Sequence, residues 1–380
     1  MKKALIAATL LLSANAFAQK KDMTPKMYDL LIGTYTSGES QGIYVYRFYT
    51  ETGKTAYLNV AEGVDNPSYL AIGKNNKFVY SVNEVGDDRK GSVSAFSFEP
   101  YSGKIALINK QPTTGAGPCY IAVDKANKHA FVANYAGGSL SVLPIGKAGS
   151  LGAVTQTVQD QGSSVNNDRQ AGPHVHTAML SPDEKYLLYT DLGTDKINIM
   201  KHKSGQDQPL TPAEPAALEV KPGDGPRHLD FTPDKKFMYL LTEMTGTIYA
   251  YSYDGPKSKQ LETVSIVPEG FKGKVGAADI HVSPDGKFLY ASNRGDVNEI
   301  VVFSIAPETG KLTFVERKST LGKTPRNFVI DPSGNFLLVA NQDSNNIYVF
   351  RINKQTGKLN VTPHILTVPN PVCLKFTPAE

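Results

Sequence analysis

Four of the seven histidines lie in or directly before short apolar segments, at positions 174, 176, 228 and 281. His174 and His176 are separated by one residue, so on a β-strand both rings face the same side. Imidazole titrates near neutral pH, which suits it to act as a general base or as a zinc ligand. A third zinc ligand at a usual spacing is not evident, which favours a metal-free site. Ca²⁺ or Mg²⁺ held by oxygen ligands is the alternative.

Arginines and a glutamate accompany these histidines. Arg227 directly precedes His228, Arg326 occupies the comparable position in a later first strand, and Arg294 follows a second strand. A guanidinium group donates two parallel hydrogen bonds to a carboxylate or phosphate, so three arginines at one place predict an anionic or strongly polar ligand. Glu243 is a further candidate for the general base. The sequence lacks a Gly-x-Ser-x-Gly motif and a glycine-rich phosphate loop, which disfavours covalent catalysis, and we expect no cofactor.

The elements that carry these residues recur along the chain. Six segments share a short apolar strand, a turn, and a second apolar strand that ends in a polar residue. The polar residues are Asn83, Asn134, Asp191, Thr242, Asn293 and Asn341. The unit recurs roughly every 50 residues, and a third apolar strand and a fourth, more polar strand follow it. Four strands in a repeat of this length are typical of a β-propeller blade.

The two ends of the chain complete the count of blades. Residues 370–376 resemble a first strand that nothing follows, and residues 28–36 resemble a second strand that nothing precedes. We therefore predict an all-β fold, a seven-bladed β-propeller over residues 28–377, in which the C-terminal strand joins three N-terminal strands and closes the ring. The chain has no tryptophan, which excludes the Trp-Asp pair of WD40 blades.

A propeller brings the candidate residues together. The first strand of each blade lines the central channel, and the antiparallel second strand returns to the mouth where the first began. Ligand sites favour such concave places with converging polar groups. The candidates at this mouth are Ser68, Glu84, Cys119, Asn134, Tyr135, His174, His176, Arg227, His228, Glu243, Asp279, His281, Arg294, Arg326, Asn327 and Gln342. The alternative is that these polar residues seal the ring, above all His281, which lies deeper along its strand.

The N-terminal residues have the composition of a secretory signal peptide. Lys2 and Lys3 precede the apolar run Ala4–Leu12, and Ala16–Ala18 supplies small residues for cleavage. The run is too short to cross a bilayer, which takes about 20 residues. We expect a leader at 1–18, cleaved near Ala18, a linker at 19–27, and export to the periplasm or the exterior.

Charge and cysteine usage limit the partners and the crosslinks. The 40 basic residues are scattered among 36 acidic ones, so we expect no nucleic-acid binding. No later segment is apolar over a length that could span a membrane. Cys119 and Cys373 begin innermost strands of blades that are not neighbours, so we expect both to be free and buried. Sealed blades need no partner, and we expect a monomer.

Taken in order, the channel motifs resemble the seven-bladed lactonase family, which includes propeller-type 6-phosphogluconolactonases and fungal carboxy-muconate cyclases. The motifs are Arg169-Gln170-Ala171-Gly172-Pro173-His174-Val175-His176, Gly225-Pro226-Arg227-His228, Ala278-Asp279-Ile280-His281, Ser292-Asn293-Arg294-Gly295 and Pro325-Arg326-Asn327. The resemblance covers nearly all of residues 28–377. It implies a site made of His174 or His176 with Arg227, Glu243 and Arg294, and hydrolysis of a sugar δ-lactone without a required metal.

These residues lead to a hypothesis for the reaction. A small-molecule lactone binds at the channel mouth, where Arg227 and Arg294 hold its anionic part and its oxyanion. Glu243, His174 or His176 removes a proton from water as general base. The sequence alone leaves the choice among these three open.

The sequence leaves alternatives for the substrate and for the class of function. Arg169 and Arg326 are candidate ligands for phosphate or carboxylate, and His228, Asp279, Asn327, Asn134 and Glu84 are candidates for other substrate contacts. Because export takes the chain away from cytosolic sugar phosphates, an unphosphorylated sugar-acid lactone is a candidate beside 6-phosphogluconolactone. The competing functions are a non-catalytic exported propeller that binds anionic ligands or protein partners, and a lactone-forming enzyme of the muconate cycloisomerase type.

Overall fold

The computed structural model describes residues 26–85 and 90–379. Within these residues the chain forms 28 strands, arranged as seven four-stranded antiparallel sheets. The sheets are the blades of a propeller, which confirms the predicted fold. The predicted leader, residues 1–18, and most of the predicted linker lie outside the described residues. No helix in this part of the chain is long and apolar enough to cross a membrane.

In blades 2 to 7 the strands run outwards from the channel in chain order. Blade 1 contains β1 (Met27–Thr34), β2 (Gly42–Tyr49) and β3 (Thr55–Glu62). Blade 2 contains β4 (Leu70–Ile72), β5 (Phe78–Asn83), β6 (Lys90–Glu99) and β7 (Lys104–Ala116). Blade 3 contains β8 (Pro118–Val123), β9 (His129–Asn134), β10 (Ser139–Pro144) and β11 (Gln156–Gln159). Blade 4 contains β12 (Val175–Leu180), β13 (Tyr186–Asp191), β14 (Lys196–His202) and β15 (Leu210–Glu219).

The remaining blades follow the same plan. Blade 5 contains β16 (Pro226–Phe231), β17 (Phe237–Thr242), β18 (Thr247–Ser252) and β19 (Lys259–Ser265). Blade 6 contains β20 (Ala277–Val282), β21 (Phe288–Asn293), β22 (Glu299–Ile305) and β23 (Leu312–Ser319). Blade 7 contains β24 (Pro325–Ile330), β25 (Phe336–Asn341), β26 (Asn346–Ile352) and β27 (Leu359–Thr367), and β28 (Pro371–Pro378) ends the chain. Two 3₁₀ turns cover Lys74–Asn76 and Gln342–Ser344.

Burial decreases from the second strand of a blade outwards. Every residue of β9, β17, β21 and β25 is buried, because these strands pack between neighbouring blades. The fourth strands are largely exposed or half-buried, as in β27. Apolar clusters of the core cross from one blade to the next: Leu241 of blade 5 and Leu289 of blade 6 belong to one such cluster. This packing holds the inner strands at fixed positions around the channel.

Strand β28 closes the ring as predicted. It pairs antiparallel with β1, so that Leu30 lies opposite Phe376 and Ile32 lies opposite Leu374. The pairing completes blade 1 with one strand from the end of the chain and three from its beginning. Two sheet edges that would otherwise be open are thereby covered.

The two cysteines are free and buried, as predicted. Cys119 lies in β8 and Cys373 in β28, and β4 of blade 2 contacts both of these strands. The Sγ of Cys373 accepts a hydrogen bond from the backbone N–H of Leu70 at 3.4 Å. The intervening strand keeps the two thiols apart.

Candidate active site

The inner strands of the blades share a β-bulge near their first residue. In blade 4, Val175 pairs with Asp191 and Thr177 pairs with Thr190, so His176 has no partner across the sheet. The same shift leaves one residue unpaired in four other blades, namely Val372, Cys119, Arg227 and Arg326. A bulge turns its extra side chain out of the regular alternation. All five of these side chains line one cavity in the channel.

A ring of side chains at the mouth comes from the residues that follow the second strands. The backbone N–H of each donates to a carbonyl just before the inner strand of its blade, as from Glu243 to Gly225 at 2.7 Å. This repeated bond holds the residue where the inner strand begins. The residues in this position are Tyr35, Glu84, Tyr135, Leu192, Glu243, Arg294 and Gln342.

Glu243 is the centre of charge at the mouth. Its Oε2 accepts a hydrogen bond from Arg227 Nε at 2.9 Å and lies 3.1 Å from Arg294 Nη2. Its Oε1 accepts a hydrogen bond from Arg169 Nη2 at 2.7 Å. Burial alone would raise the pKa of this carboxyl, but the charges of Arg294 and Arg227 hold it well below its usual range. Glu243 therefore stays ionised, which makes it a weak base and a strong anchor for guanidinium groups.

Backbone carbonyls also fix two of the arginines. Arg227 is 1% exposed, and its Nη1 donates to the carbonyl of Ala278. Arg294 donates from Nε to Gly276 at 3.0 Å and from Nη2 to Ala277 at 3.2 Å. Burial lowers the pKa of Arg294 to about 10, so this guanidinium remains protonated at neutral pH. Two fixed cations side by side are suited to stabilise a developing oxyanion.

Arg169 approaches Glu243 from the loop between β11 and β12. Its Nη2 also donates to the hydroxyl of Tyr135 at 3.1 Å. The Arg169 side chain is 44% exposed, whereas that of Arg227 is 2% exposed. Arg169 is therefore placed to meet an incoming anion, while Arg227 is placed to act inside the channel.

Glu84 and Arg326 form a second charged group at the mouth. Glu84 Oε2 accepts hydrogen bonds from the Tyr35 hydroxyl at 3.0 Å and from Ser68 Oγ. The Arg326 guanidinium lies over the Tyr35 ring, 5.4 Å from its centroid. Burial opposes the charge of Arg326, but Tyr35 and Glu84 raise its pKa. The site as a whole contains four arginines and two glutamates and is electropositive.

The two neighbouring histidines have different surroundings. The ring of His174 stacks on Tyr135 with centroids 4.5 Å apart, and its Nδ1 donates to the Tyr135 carbonyl at 3.0 Å. His176 is 5% exposed, and its Nδ1 lies 3.9 Å from Cys119 Sγ. Burial and then the charge of Arg227 hold the pKa of His176 well below its usual range. The His176 ring is therefore neutral at neutral pH, with one nitrogen able to accept a proton.

His228, Asp279 and Asn327 form a layer directly below the bulges. Asp279 accepts hydrogen bonds from His228 Nδ1 at 2.7 Å, from His281 Nε2 at 3.1 Å and from Asn327 Nδ2. Burial and the charge of Arg227 lower the pKa of His228 to about 3. Burial opposes the charge of His281, but the carboxylate of Asp279 raises its pKa to about 10. The layer links the inner strands of blades 5, 6 and 7 beneath the mouth.

Asn134 lies inside blade 3, apart from the charged groups of the mouth. Its Nδ2 donates to Ser139 Oγ at 3.2 Å and to Ser141 Oγ at 2.9 Å. The residue is fully buried. Its amide therefore serves the packing of its own blade.

The mouth opens to solvent as a cleft of about 460 Å³. Arg169, Glu243 and Arg294 line it together with Lys274. A cleft of this volume suits a small polar ligand. The structure thus brings these three predicted residues to one surface, with Arg227 and His176 immediately beneath it.

The sequence prediction missed Lys274, which lines the cleft, and Tyr35. Tyr35 directly follows β1 and supports both Glu84 and Arg326. Its place in the repeat is the same as that of Glu84 and Glu243. If the incomplete first blade is aligned with the other blades, Tyr35 falls at this position, so the sequence repeat alone could have identified it.

The sequence of the chain is similar to those of known lactonases. A family model described as "Lactonase, 7-bladed beta-propeller" matches residues 29–376. A Bacillus subtilis protein named 6-phosphogluconolactonase is 37% identical over 347 residues, which cover 91% of this chain and 97% of that protein. A Formosa agariphila protein of the same name is 37% identical over 341 residues, which cover 89% of this chain and 96% of that protein.

A solved structure agrees with the sequence relatives. The periplasmic gluconolactonase PpgL of Pseudomonas aeruginosa is 40% identical and superposes with a TM-score of 0.89. The match covers 93% of this chain and 100% of that one. The similarity therefore extends over the whole ring.

Proposed function

Because the chain belongs to the seven-bladed β-propeller lactonase family and is a hydrolase of the carboxylic-ester class, we propose that it hydrolyses a sugar-acid lactone at the channel mouth. The observation that carries this proposal is the convergence of Arg169, Arg227 and Arg294 on Glu243. Such a group binds an anion and stabilises negative charge that develops on a carbonyl oxygen.

In the proposed reaction a water molecule attacks the carbonyl carbon of the lactone. The neutral ring of His176 accepts a proton from this water. The carbonyl oxygen becomes an oxyanion, and the guanidinium groups of Arg227 and Arg294 stabilise it. The ring C–O bond then breaks, and the proton passes from His176 to the former ring oxygen. The product is the open-chain sugar acid.

We assign Glu243 to the positioning of the arginines rather than to proton transfer. Both of its oxygens accept hydrogen bonds from guanidinium groups, and its pKa is held well below its usual range. A carboxylate whose two oxygens are both engaged by guanidinium groups is poorly placed to take a proton from water. His174 is stacked on Tyr135 and bonded to its carbonyl, so it supports the wall of the site. These differences favour His176 as the base.

The name of the Pseudomonas protein and the predicted leader together support an exported enzyme that acts on an unphosphorylated lactone. Gluconolactone is therefore the first substrate to test. Arg169, which is 44% exposed, is the candidate ligand for a phosphate if 6-phosphogluconolactone is used instead. The names of the Bacillus and Formosa relatives support this second substrate.

A panel of lactones tests the proposal. Acid release from gluconolactone and from 6-phosphogluconolactone is followed by pH-stat titration, with and without EDTA, and corrected for spontaneous hydrolysis. We expect turnover of at least one lactone, no immediate effect of EDTA, and a loss of about 100-fold or more in Arg227→Ala. Failure of the unaltered protein to hydrolyse either lactone contradicts the proposal, as does full activity of Arg227→Ala.

A further inference from the structure

A cluster of Asp124, His129 and His202 lies between blades 3 and 4, at the opposite end of the strands from the mouth. Asp124 follows β8, His129 begins β9 and His202 ends β14. The three residues are 2%, 3% and 8% exposed, respectively. One potential ligand atom from each lies within 4.8 Å of the others. Nothing in the lactonase site uses this cluster.

The repeat shows that both histidines are exceptions. Counted back from the residue that follows the second strand, the position of His129 is aromatic in five of the other blades and is Asp29 in blade 1. The aromatic residues are Phe78, Tyr186, Phe237, Phe288 and Phe336. The end of the third strand carries no histidine in the six blades other than blade 4. The residues there are Phe48, Phe98, Ile145, Tyr253, Ile305 and Ile352.

The two exceptional positions face each other across one junction. In the corresponding places of other junctions, Phe237 shares an apolar cluster with Ile305, and Phe288 shares one with Ile352. Between blades 3 and 4 the aromatic–aliphatic pair is replaced by His129 and His202. A polar site therefore stands where the neighbouring junctions have apolar packing.

The turn after β14 also departs from the repeat. Gly310 and Gly357 pack so closely on Phe237 and Phe288 that an added Cβ would overlap these rings. Gly205, in the longer turn after β14, has nothing within 4 Å of such a Cβ among the described residues. The turn instead directs polar groups to the cluster: Ser204 Oγ donates to Asp124 Oδ2 at 2.7 Å, and the Gln206 carbonyl lies 2.9 Å from His129 Nε2.

Hydrogen bonds define the state of the His202 ring. Its Nδ1 lies 2.8 Å from the carbonyl of Glu184, which can only accept, so Nδ1 carries the proton. In the neutral ring, Nε2 then presents its lone pair to the cluster. Within the described part of the chain, this buried Nε2 has no hydrogen-bond partner, and Asp124 Oδ2 lies 3.8 Å away. A buried acceptor beside a carboxylate is costly unless a cation lies between them.

Hydrogen bonds also define the state of the His129 ring. Its Nε2 donates to the Gln206 carbonyl, and its Nδ1 donates to Asp124 Oδ2 at 3.2 Å, so a metal ion bound here would replace the Nδ1 proton. A histidine that donates its other ring N–H to a carbonyl is typical of metal ligands. Ligand atoms around a tetrahedral zinc ion, with bonds of about 2.0–2.1 Å, lie about 3.4 Å apart. The distances of 3.2 and 3.8 Å in the cluster bracket this value.

We propose that Asp124, His129 and His202 bind a divalent transition-metal ion of the zinc class. Two imidazole nitrogens and one carboxylate oxygen suit such an ion better than Ca²⁺ or Mg²⁺, which prefer oxygen ligands. The Ser204 hydroxyl or a water molecule completes the coordination. Because the ligands come from two blades, the ion joins blades 3 and 4 and stabilises the ring. This assignment is independent of the lactonase reaction.

Metal binding by the full chain tests the proposal. The protein is treated with chelator, dialysed and titrated with ZnCl₂ by calorimetry, and its zinc content and Tm are then measured. We expect one zinc ion per chain and a higher Tm with zinc than without it. The variant His129→Phe/His202→Ile, which installs the pair found between other blades, is expected to fold and to bind no zinc at this site. His364→Gln, in β27, is the matched control and is expected to bind like the unaltered protein.

The outcomes separate the metal site from a simple hydrogen-bonded cluster. Absence of zinc binding to the unaltered chain overturns the proposal, as does unchanged binding in the double variant. Loss of binding in His364→Gln overturns it too, because the ion is then held elsewhere. Circular dichroism checks folding, and Asp124→Asn, which keeps the shape of the side chain, replaces the double variant if that variant does not fold. Retained stoichiometric zinc binding in Asp124→Asn likewise counts against the site.

Discussion

Arg227 Nε lies 2.9 Å from Glu243 Oε2, and this ion pair joins the inner strand of blade 5 to the residue that follows its second strand. The Arg227 side chain is 2% exposed and that of Glu243 is 12% exposed. Breaking such a pair leaves an uncompensated charge in a buried place. The geometry of the candidate site and the stability of blade 5 therefore depend on the same atoms.

Replacing Glu243 by glutamine tests this dependence. Glu243→Gln keeps the shape of the side chain but removes the charge that holds three arginines together. We expect kcat/KM for the lactone to fall about 100-fold or more, because the arginines lose their alignment. The free energy of unfolding should fall by about 3 kcal/mol, because Arg227 is left without its buried partner. Steady-state kinetics and urea unfolding measure the two effects.

Glu299→Gln is the matched control for this variant. Glu299 pairs with Arg317 at 2.7 Å in blade 6, outside the cleft. The Glu299→Gln variant should have a lower free energy of unfolding but an unchanged kcat/KM. Unchanged activity in Glu243→Gln would show that the alignment of the arginines is not required for the reaction.

The proposed base makes a prediction about pH. Only the neutral ring of His176 accepts a proton, so activity decreases as pH falls through its pKa. Burial and Arg227 hold this pKa below the usual value of about 6.5. We expect kcat/KM to stay constant from about pH 8 to pH 6.5 and to decrease only at lower pH. His176→Ala should lower kcat at least about 100-fold, within the range for a general base.

His174→Gln distinguishes the two neighbouring histidines. This variant should retain the acid limb of the pH profile, since His174 supports the wall of the site and does not take the proton. His364→Gln controls for loss of a histidine elsewhere. An acid limb centred above pH 6.5, or one that disappears in His174→Gln, would move the role of base away from His176.

The fold was predictable from sequence because each blade repeats a polar residue at the end of its second strand. Asn83, Asn134, Asp191 and their equivalents do end these strands in the structure. The similarity of residues 370–376 to a first strand also predicted closure of the ring. In the structure, β28 covers this region and pairs with β1. Both features are local patterns, so no knowledge of the packing was needed.

The site was predictable as a group but not in detail. Strand order alone brings Arg227, Glu243 and Arg294 to one mouth. The bulge decides whether a residue of the inner strand faces the mouth or the layer beneath it. In blade 5 the bulge leaves Arg227 unpaired at the mouth, whereas the next residue, His228, pairs with Leu241 and lies in the layer beneath. The low basicity of Glu243 also depends on Arg169, which reaches it from a loop whose path the repeat does not define.

Arg169→Ala tests the role of the exposed arginine. Because its side chain is 44% exposed, we expect the free energy of unfolding to change by no more than about 0.5 kcal/mol. The KM for 6-phosphogluconolactone should rise about tenfold, equivalent to ~1.4 kcal/mol, because a contact to the phosphate is lost. The KM for gluconolactone, which lacks the phosphate, should change less.

Kinetics with both lactones measure this difference. Arg351→Ala removes another exposed arginine, on β26, and should alter neither KM value. An equal rise of KM for both lactones in Arg169→Ala would assign Arg169 to the sugar or to Glu243 rather than to phosphate.

Cys119 allows a test between water attack and a covalent mechanism. Its Sγ lies 3.9 Å from His176 Nδ1, an arrangement that invites comparison with thiol–imidazole nucleophiles. A nucleophilic cysteine requires a lowered pKa, whereas burial raises the pKa of Cys119. The thiol therefore stays protonated, and the carbonyl of His176 lies 3.4 Å from Sγ as its acceptor.

We expect Cys119→Ala to retain kcat within about threefold, because the thiol takes no part in proposed proton transfer to His176. Iodoacetamide at pH 8 should leave Cys119 unmodified in the folded protein, because a protonated and buried thiol is inert. Cys373→Ala, which removes the other buried thiol, is the matched control and should also keep its activity. A loss of about 100-fold in Cys119→Ala alone, with trapping of an acyl-enzyme by mass spectrometry, would replace water attack by a thioester intermediate. Since the two mechanisms share Arg227 and His176, the cysteine is the residue at which their predictions differ most.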